Sequence, residues 1–199
     1  DVVEATKDIV DAVKVNYPLI WSCGPDIIAE LARSNTVICD LKIADIPYTN
    51  TLICEEAFGR GCSAVIAHAF VGRDSLRACV EVAKANGGDV YAVVEMSHLG
   101  GKEMFEPVSD VLCRIAQECS AAGVIAPATR PERIARIRGL IGTDMEILSP
   151  GVGAQGGSAS AAVLNGADFV IVGRAIYNAE DPRAATGTIA DEIREACGA

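Results

Sequence analysis

Aromatic residues make up only 5% of this 199-residue chain, with one tryptophan. That leaves little material for the stacking platforms on which single-stranded bases lie. Positive charge is short as well. Lysine and arginine total 17 against 27 acidic residues, a net charge of −10, which is the wrong sign for binding a phosphate backbone. An anionic ligand must therefore be met by a local positive site working against the global field. No stretch approaches the roughly 20 uninterrupted apolar residues of a membrane span, and no signal peptide is read at the start. The only two histidines, His68 and His98, have no cysteine or carboxylate pattern around them, so no metal site is expected. Eight cysteines are scattered without a C-x-x-C pair. Several sit in apolar runs, where cysteine behaves as a small hydrophobe. They are expected to be reduced thiols in a cytoplasmic protein.

What is present is a regular alternation. Half the residues are hydrophobic, enough for a substantial core. Apolar, strand-type runs are "DAVKVNYPLI", "TVICDLKIADI", "SAVIAHAF", "DVYAVVEMS", "GVIAPA", "EILSPGV" and "FVIVGRAI". Between them lie helix-type segments such as "PDIIAELARS", "NTLICEEAFGRG", "RDSLRACVEVAKANGG", "VSDVLCRIAQECSAAG" and "RPERIARIRGLIG". Near-continuous apolar strands separated by amphipathic helices mark a parallel sheet covered on both faces. Gly61 and Gly123 are read as glycines just past helix ends. Asp181 and Pro182 are read as an N-cap and first-turn pair, and Thr129 with Pro131 as another.

Seven strands are visible, and "DVVEATKDIV" at the start reads as a helix. A closed (β/α)8 barrel needs eight strands. The expected fold is therefore an α/β (β/α)8 TIM barrel formed as one domain over residues 1–199, with its first strand missing from the stretch read here. An open parallel edge would otherwise leave backbone groups unpaired.

Charge sits where such a barrel does its chemistry. In "VICDLKIADIPYT", Val37–Thr49, Asp40 and Lys42 share one face of a strand, and Asp45 follows as the strand gives way to a loop. Charges are rare in cores unless paired. Lys14 lies on the preceding strand, and strands adjacent in sequence are usually adjacent in space. Lys14, Asp40, Lys42 and Asp45 are thus expected to cluster at the barrel mouth. Lysine flanked by carboxylates keeps its ammonium form and suits proton donation. The same spacing also suits a purely structural ion-pair network.

Three further stretches fall at strand ends. "SPGVGAQGG", Ser149–Gly157, is dense in the glycines that let backbone approach a ligand, and it suits a closing lid. "VIVGRAIY" ends its strand at Gly173 and Arg174, where barrels of this kind bind phosphate, and arginine supplies a planar fork for it. "EMSHLGGKEMF" offers Ser97 as a hydrogen-bonding group or a turn cap. Arg130 and Arg133 in "ATRPERI" are read as structural.

In that order, "VKVNYPL", "DLKIADIPYTN", "EMSHLGG", "PATRPERI", "SPGVGAQGG" and "VGRAIY" make the chain resemble the orotidine 5′-phosphate decarboxylase family in its short microbial and archaeal form. The resemblance spans nearly the whole chain. It implies conversion of orotidine 5′-monophosphate to UMP and CO2 without a cofactor. Asp40 would face the substrate carboxylate, and Lys42 would stabilise and then protonate the C6 carbanion. Lys14 would link the charges to the ribose. Asp45, Ile46 and Thr49 would come from the neighbouring subunit of a homodimer. Ser97 would read the pyrimidine edge, and Gln155 would bridge base and phosphate. Gly173, Arg174 and Tyr177 would hold the phosphate, and Pro150 and Val152 would line the substrate pocket. The family's ribose-binding aspartate on a first strand has no counterpart in the stretch read here.

Two alternatives remain at this stage. Phosphosugar relatives, such as 3-keto-L-gulonate 6-phosphate decarboxylase and hexulose phosphate synthase, share the Asp-x-Lys-x-x-Asp strand but use magnesium. A non-catalytic phosphate-binding barrel is the other, against which the intact Asp40, Lys42 and Asp45 speak.

Overall fold

A computed structural model describes residues 2–198. Helix α1 (Val2–Thr6) leads into strand β1 (Val13–Asn16), followed by α2 (Tyr17–Cys23), α3 (Ile27–Ala32), β2 (Val37–Ile43) and α4 (Pro47–Gly59). Next come β3 (Ala64–His68), α5 (Arg73–Ala85), β4 (Asp89–Val93), α6 (Leu99–Phe105), α7 (Ser109–Glu118) and β5 (Gly123–Ile125). The chain ends with α8 (Pro131–Ile141), β6 (Glu146–Pro150), α9 (Ala159–Leu164), β7 (Phe169–Ile171), α10 (Arg174–Tyr177) and α11 (Pro182–Cys197). All strand pairings are parallel, in the order β1 to β7. This is the α/β barrel architecture expected from the alternating pattern, with seven strands among the described residues.

Two apolar layers hold it. Inside the sheet, alternate residues of neighbouring strands meet: Ala64 and Ile66, Tyr91 and Val93, Ile125 and Leu148. The opposite faces pack on the helices through Val37, Cys39, Val65, Leu76, Ile134, Ile137 and Ile147, all essentially inaccessible. Each large aliphatic side chain buried this fully contributes about 1.5–3 kcal/mol. All eight cysteines are free thiols, and six are buried among these apolar groups. Among the described residues, no helix is long and apolar enough to cross a membrane.

Two local expectations are corrected. "NYPLI" does not continue β1: Pro18 sits in the first turn of a helix whose Tyr17, Leu19 and Trp21 remain exposed. An apolar run that faces outward had the look of a longer strand. Gly123 does not close a helix but opens β5, where a Cβ would collide with the Glu146 carbonyl oxygen of the adjacent strand. The left-handed turn before it is made by Ser120, with φ of 57°. The Asp181 cap forms as expected, its Oδ1 accepting from the Ala184 amide at 3.0 Å.

Candidate active site

The register of β2 breaks where its charges lie. Cys39 pairs with Val65 and Ile43 with Ala67, so four steps on β2 match two on β3. The extra residues bulge out, and Lys42 takes a φ of 47°. A left-handed backbone costs an L-residue about 1–2 kcal/mol, and bulges and strain of this kind gather at functional sites.

The bulge aims charge inward. Lys14 Nζ donates to Asp40 Oδ2 at 2.9 Å, and Lys42 Nζ donates to Asp40 Oδ1. The Asp40 side chain is 10% exposed, and the two lysines are 22% and 33% exposed. Burial alone pushes the Asp40 carboxyl up, but the two ammonium groups outweigh it and hold the carboxyl below its ordinary range. Behind them His68 ends β3, 8% exposed, with its Nδ1 lacking a partner. Burial, joined by the Lys42 ammonium and opposed by Asp40, pushes the imidazole down to about 4. It is a neutral neighbour to the charged pair.

Lys14, Asp40 and Lys42 open onto a cavity of about 280 Å³. Ser97, Pro150, Val152, Gln155, Gly173, Arg174 and Tyr177 line it as well, so ten of the thirteen residues singled out in the sequence meet in one place. The other three do not. Asp45 and Ile46 are exposed, Thr49 is half-buried, and none of them reaches the cavity. The expected fourfold cluster is thus a triad within one chain. Asp45 instead bends the backbone: its Oδ1 accepts from the Ile46 amide at 2.7 Å, and its own amide donates to Asn50 Oδ1 at 3.0 Å. Asn50, fully buried and tied to the Ser75 carbonyl, anchors that bend.

Arg174 does not end β7 but starts α10, because Gly173, in an unusual backbone conformation, turns the chain there. Among the described residues no carboxylate pairs with Arg174. The Ser149–Gly157 loop arches over the cavity and is internally bonded, Gly153 N to Gly157 O at 2.9 Å and Gly157 N to Gly151 O at 3.0 Å. Gly153, with φ of 71°, lies so near α10 that a Cβ would stand 2.8 Å from the Ala175 Cβ. The Ser97 hydroxyl donates to Gln155 Oε1 at 2.8 Å, tying this loop to the end of β4.

Thr129 does not cap α8. Its hydroxyl donates to the Ser97 carbonyl at 3.3 Å. The cavity also takes in residues the sequence reading passed over: Ile66, Ile125 and Ile171 as an apolar inner wall, and Glu95 beside Met96. Strand alternation points to Glu95, since Tyr91, Val93 and Glu95 fall on one face. A larger hollow of about 600 Å³ lies beside α6, between Leu99 and Arg133, away from the lysine pair. Among the described residues no group of histidine, cysteine or carboxylate side chains could hold a metal ion.

A cavity lined by the Lys14–Asp40–Lys42 triad, a glycine-rich loop and Arg174 fits the family named from the sequence. Residues 1–189 match the orotidine 5′-phosphate decarboxylase / HUMPS family. The chain belongs to that family. It is 55% identical over 192 residues to the orotidine 5′-phosphate decarboxylase of Methanosarcina barkeri, covering 96% of this chain and 87% of that one. The enzyme of the same name from Pyrococcus horikoshii is 50% identical in its crystal structure, with a TM-score of 0.89 and coverage of 97% and 91%. The Methanocaldococcus jannaschii orotidine 5′-monophosphate decarboxylase, crystallised with the inhibitor BMP, superposes at a TM-score of 0.91 with 38% identity, covering 96% of this chain and 90% of that one. These relatives are carboxy-lyases, and the chain is an enzyme of that class.

Proposed function

We propose that this protein decarboxylates orotidine 5′-monophosphate to UMP and CO2, the last step of UMP biosynthesis, without a cofactor. The observation that carries the reading is the Lys14–Asp40–Lys42 triad lining the same cavity as Arg174. The two groups of cations suit a ligand that carries both a dianionic phosphate and a carboxylated base.

Arg174, the backbone at Gly173, and Tyr177 take the phosphate, with Gln155 reaching it from the loop. Lys14 contacts the ribose and Ser97 the pyrimidine edge, while Pro150 and Val152 pack on the ligand. The substrate carboxylate then lies against Asp40. As the C6–carboxylate bond breaks, CO2 leaves and the electron pair stays on C6, beside the Lys42 ammonium. A cation already aimed where negative charge develops stabilises that carbanion without reorganisation. Lys42 Nζ next gives a proton to C6, and the amine regains one from solvent. The departing CO2 is neutral, and the apolar wall of Ile66, Ile125 and Ile171 suits it. Phosphate binding at a distance offsets the crowding of Asp40 against the substrate carboxylate.

The working unit in this reading is a homodimer. Near Asp45 the chain exposes Ile46 at 63%, Tyr48 at 72% and Leu52 at 47%. A second copy covering these residues would bring Asp45, Ile46 and Thr49 toward its partner's site. We place the activity in the cytoplasm, a reducing setting that suits eight thiols.

The test is loss of orotidine 5′-monophosphate absorbance in EDTA. Turnover that persists without metal and vanishes in Lys42→Ala supports the reading. Turnover only with magnesium, on a phosphosugar, overturns it in favour of the sugar-processing branch of the family.

A further inference from the structure

Outside the lysine triad, the molecule buries one more carboxylate at the barrel mouth. Glu95 is 0% exposed and walls the cavity two residues past the end of β4 and two before Ser97. Burying an ionised carboxylate is unfavourable unless it is paired and hydrogen-bonded. Arg133 supplies that pairing: its Nε donates to Glu95 Oε1 at 2.9 Å, and its Nη2 donates both to the same oxygen and to Ser109 Oγ at 3.0 Å. The pairing with Glu95 raises the Arg133 guanidinium above its ordinary value. Glu95 Oε2 has no hydrogen bond and stands 3.6 Å from Arg130 Nη2. Arg130 in turn pairs with Glu106 at 2.9 Å and donates to the Met96 carbonyl at 2.8 Å.

The pattern covers three consecutive residues. Glu95 is held by Arg133, Met96 by Arg130 and Ser97 by Thr129, all from the start of α8 and the turn before it. Two arginines face two glutamates, so the network adds no net charge to the cavity. Its effect on the ligand is therefore a matter of position and not of field. Ser97 has a hydroxyl whose direction decides both its bond to Gln155 and its contact with a base.

We infer that Glu95 is a positioning residue: gripped by Arg133, it fixes the backbone of residues 95–97 so that Ser97 meets the pyrimidine edge and the Gln155 loop together. This rests on the proposed role of Ser97 as the pyrimidine reader.

A double-mutant cycle of Glu95→Gln and Ser97→Ala tests it, read both as kcat/KM for orotidine 5′-monophosphate and as Kd for UMP, with thermal melting alongside. Glu95→Gln alone is expected to lower kcat/KM by up to about a hundredfold, the scale of an ångström-sized misplacement. In the Ser97→Ala background the same change should cost less than about twofold, because coupled sites are non-additive. Equal losses in both backgrounds, or no loss at all, overturn the inference. Should Glu95→Gln fail to fold, Arg133→Lys is put through the same cycle. Wild-type turnover and its fall in Ser97→Ala report separately on the reading of the site itself.

Discussion

Replacing Lys42 by glycine should give a more stable protein than replacing it by alanine, against the usual order. Both variants lose the same ammonium and the same ion pair with Asp40, so their difference isolates the backbone at the bulge. With φ of 47°, alanine must keep a left-handed conformation that costs about 1–2 kcal/mol. Glycine adopts it freely, but gives back about 0.5–1 kcal/mol through the greater freedom of its unfolded chain. The balance favours glycine by about 1 kcal/mol, which for a chain of this length is roughly 2–4 °C in Tm. Within ordinary strands the sign is reversed, glycine being the worse residue by about 0.5–1 kcal/mol. Calorimetry of the two purified variants reads the difference directly. Neither is expected to turn over substrate, so activity cannot confuse the comparison. An alanine variant that melts at or above the glycine variant refutes the claim that strain is stored under Lys42.

Other expectations follow from the same geometry. If Lys42 and Asp45 of one site come from different subunits, mixing the inactive Lys42→Ala and Asp45→Asn proteins restores one intact site per hybrid dimer. Random re-pairing then gives about a quarter of wild-type activity, and no recovery after verified subunit exchange counts against the shared site. His68 has its folded value pushed down to about 4, so the unfolded chain takes up its proton first as pH falls. Wild type should lose stability relative to His68→Asn between about pH 6.5 and 4; parallel melting curves across that range would show His68 to be solvated. Gly153→Ala forces a β-carbon at φ of 71° against Ala175, costing about 1–2 kcal/mol of the closed loop. That is roughly a tenfold fall in kcat/KM by steady-state assay, and an unchanged value would mean the loop does not need this approach to α10.

Barrel and site differ in how well the sequence displays them. Parallel strands buried on both faces must be apolar along their length, so β2 to β7 stand out as runs, and helices between them follow. The candidate site lies at strand ends, which is why Lys14, Asp40, Lys42, Ser97, Gln155 and Arg174 are legible in the sequence as a group that lines one cavity. Conformation within those ends is not. Nothing in "DLKIA" announces a left-handed lysine, because the strain is imposed by pairing with β3 and not by local preference. "NYPLI" deceived for the opposite reason: its apolar side chains stay exposed on α2, so hydrophobicity there reports no core. Thr129 was read locally as a cap, whereas its hydroxyl serves Ser97, 32 positions earlier in the chain. Glu95 was legible by alternation alone, yet a carboxylate facing a barrel interior gains meaning only once Arg133 is seen against it.

The placement of charge also explains how an acidic protein can hold an anionic ligand. Most of its carboxylates lie on the outside, where water at high dielectric and salt weaken their reach to about 10 Å or less. At the mouth, Glu95 and Glu106 are neutralised by Arg130 and Arg133, leaving Asp40, among the described residues, as the one other carboxylate lining the cavity with Lys14, Lys42 and Arg174. Asp40 is what keeps two ammonium groups side by side without repulsion, and it holds Lys42 on its strained bulge. In the proposed decarboxylation the same carboxylate would oppose a substrate carboxylate brought against it and would no longer do so once CO2 has gone. An interaction that is unfavourable at the start of the reaction and vanishes on the way lowers the barrier. On that proposal the contact with the lysine it holds would become more favourable over the same path, and one aspartate would serve both halves of the step.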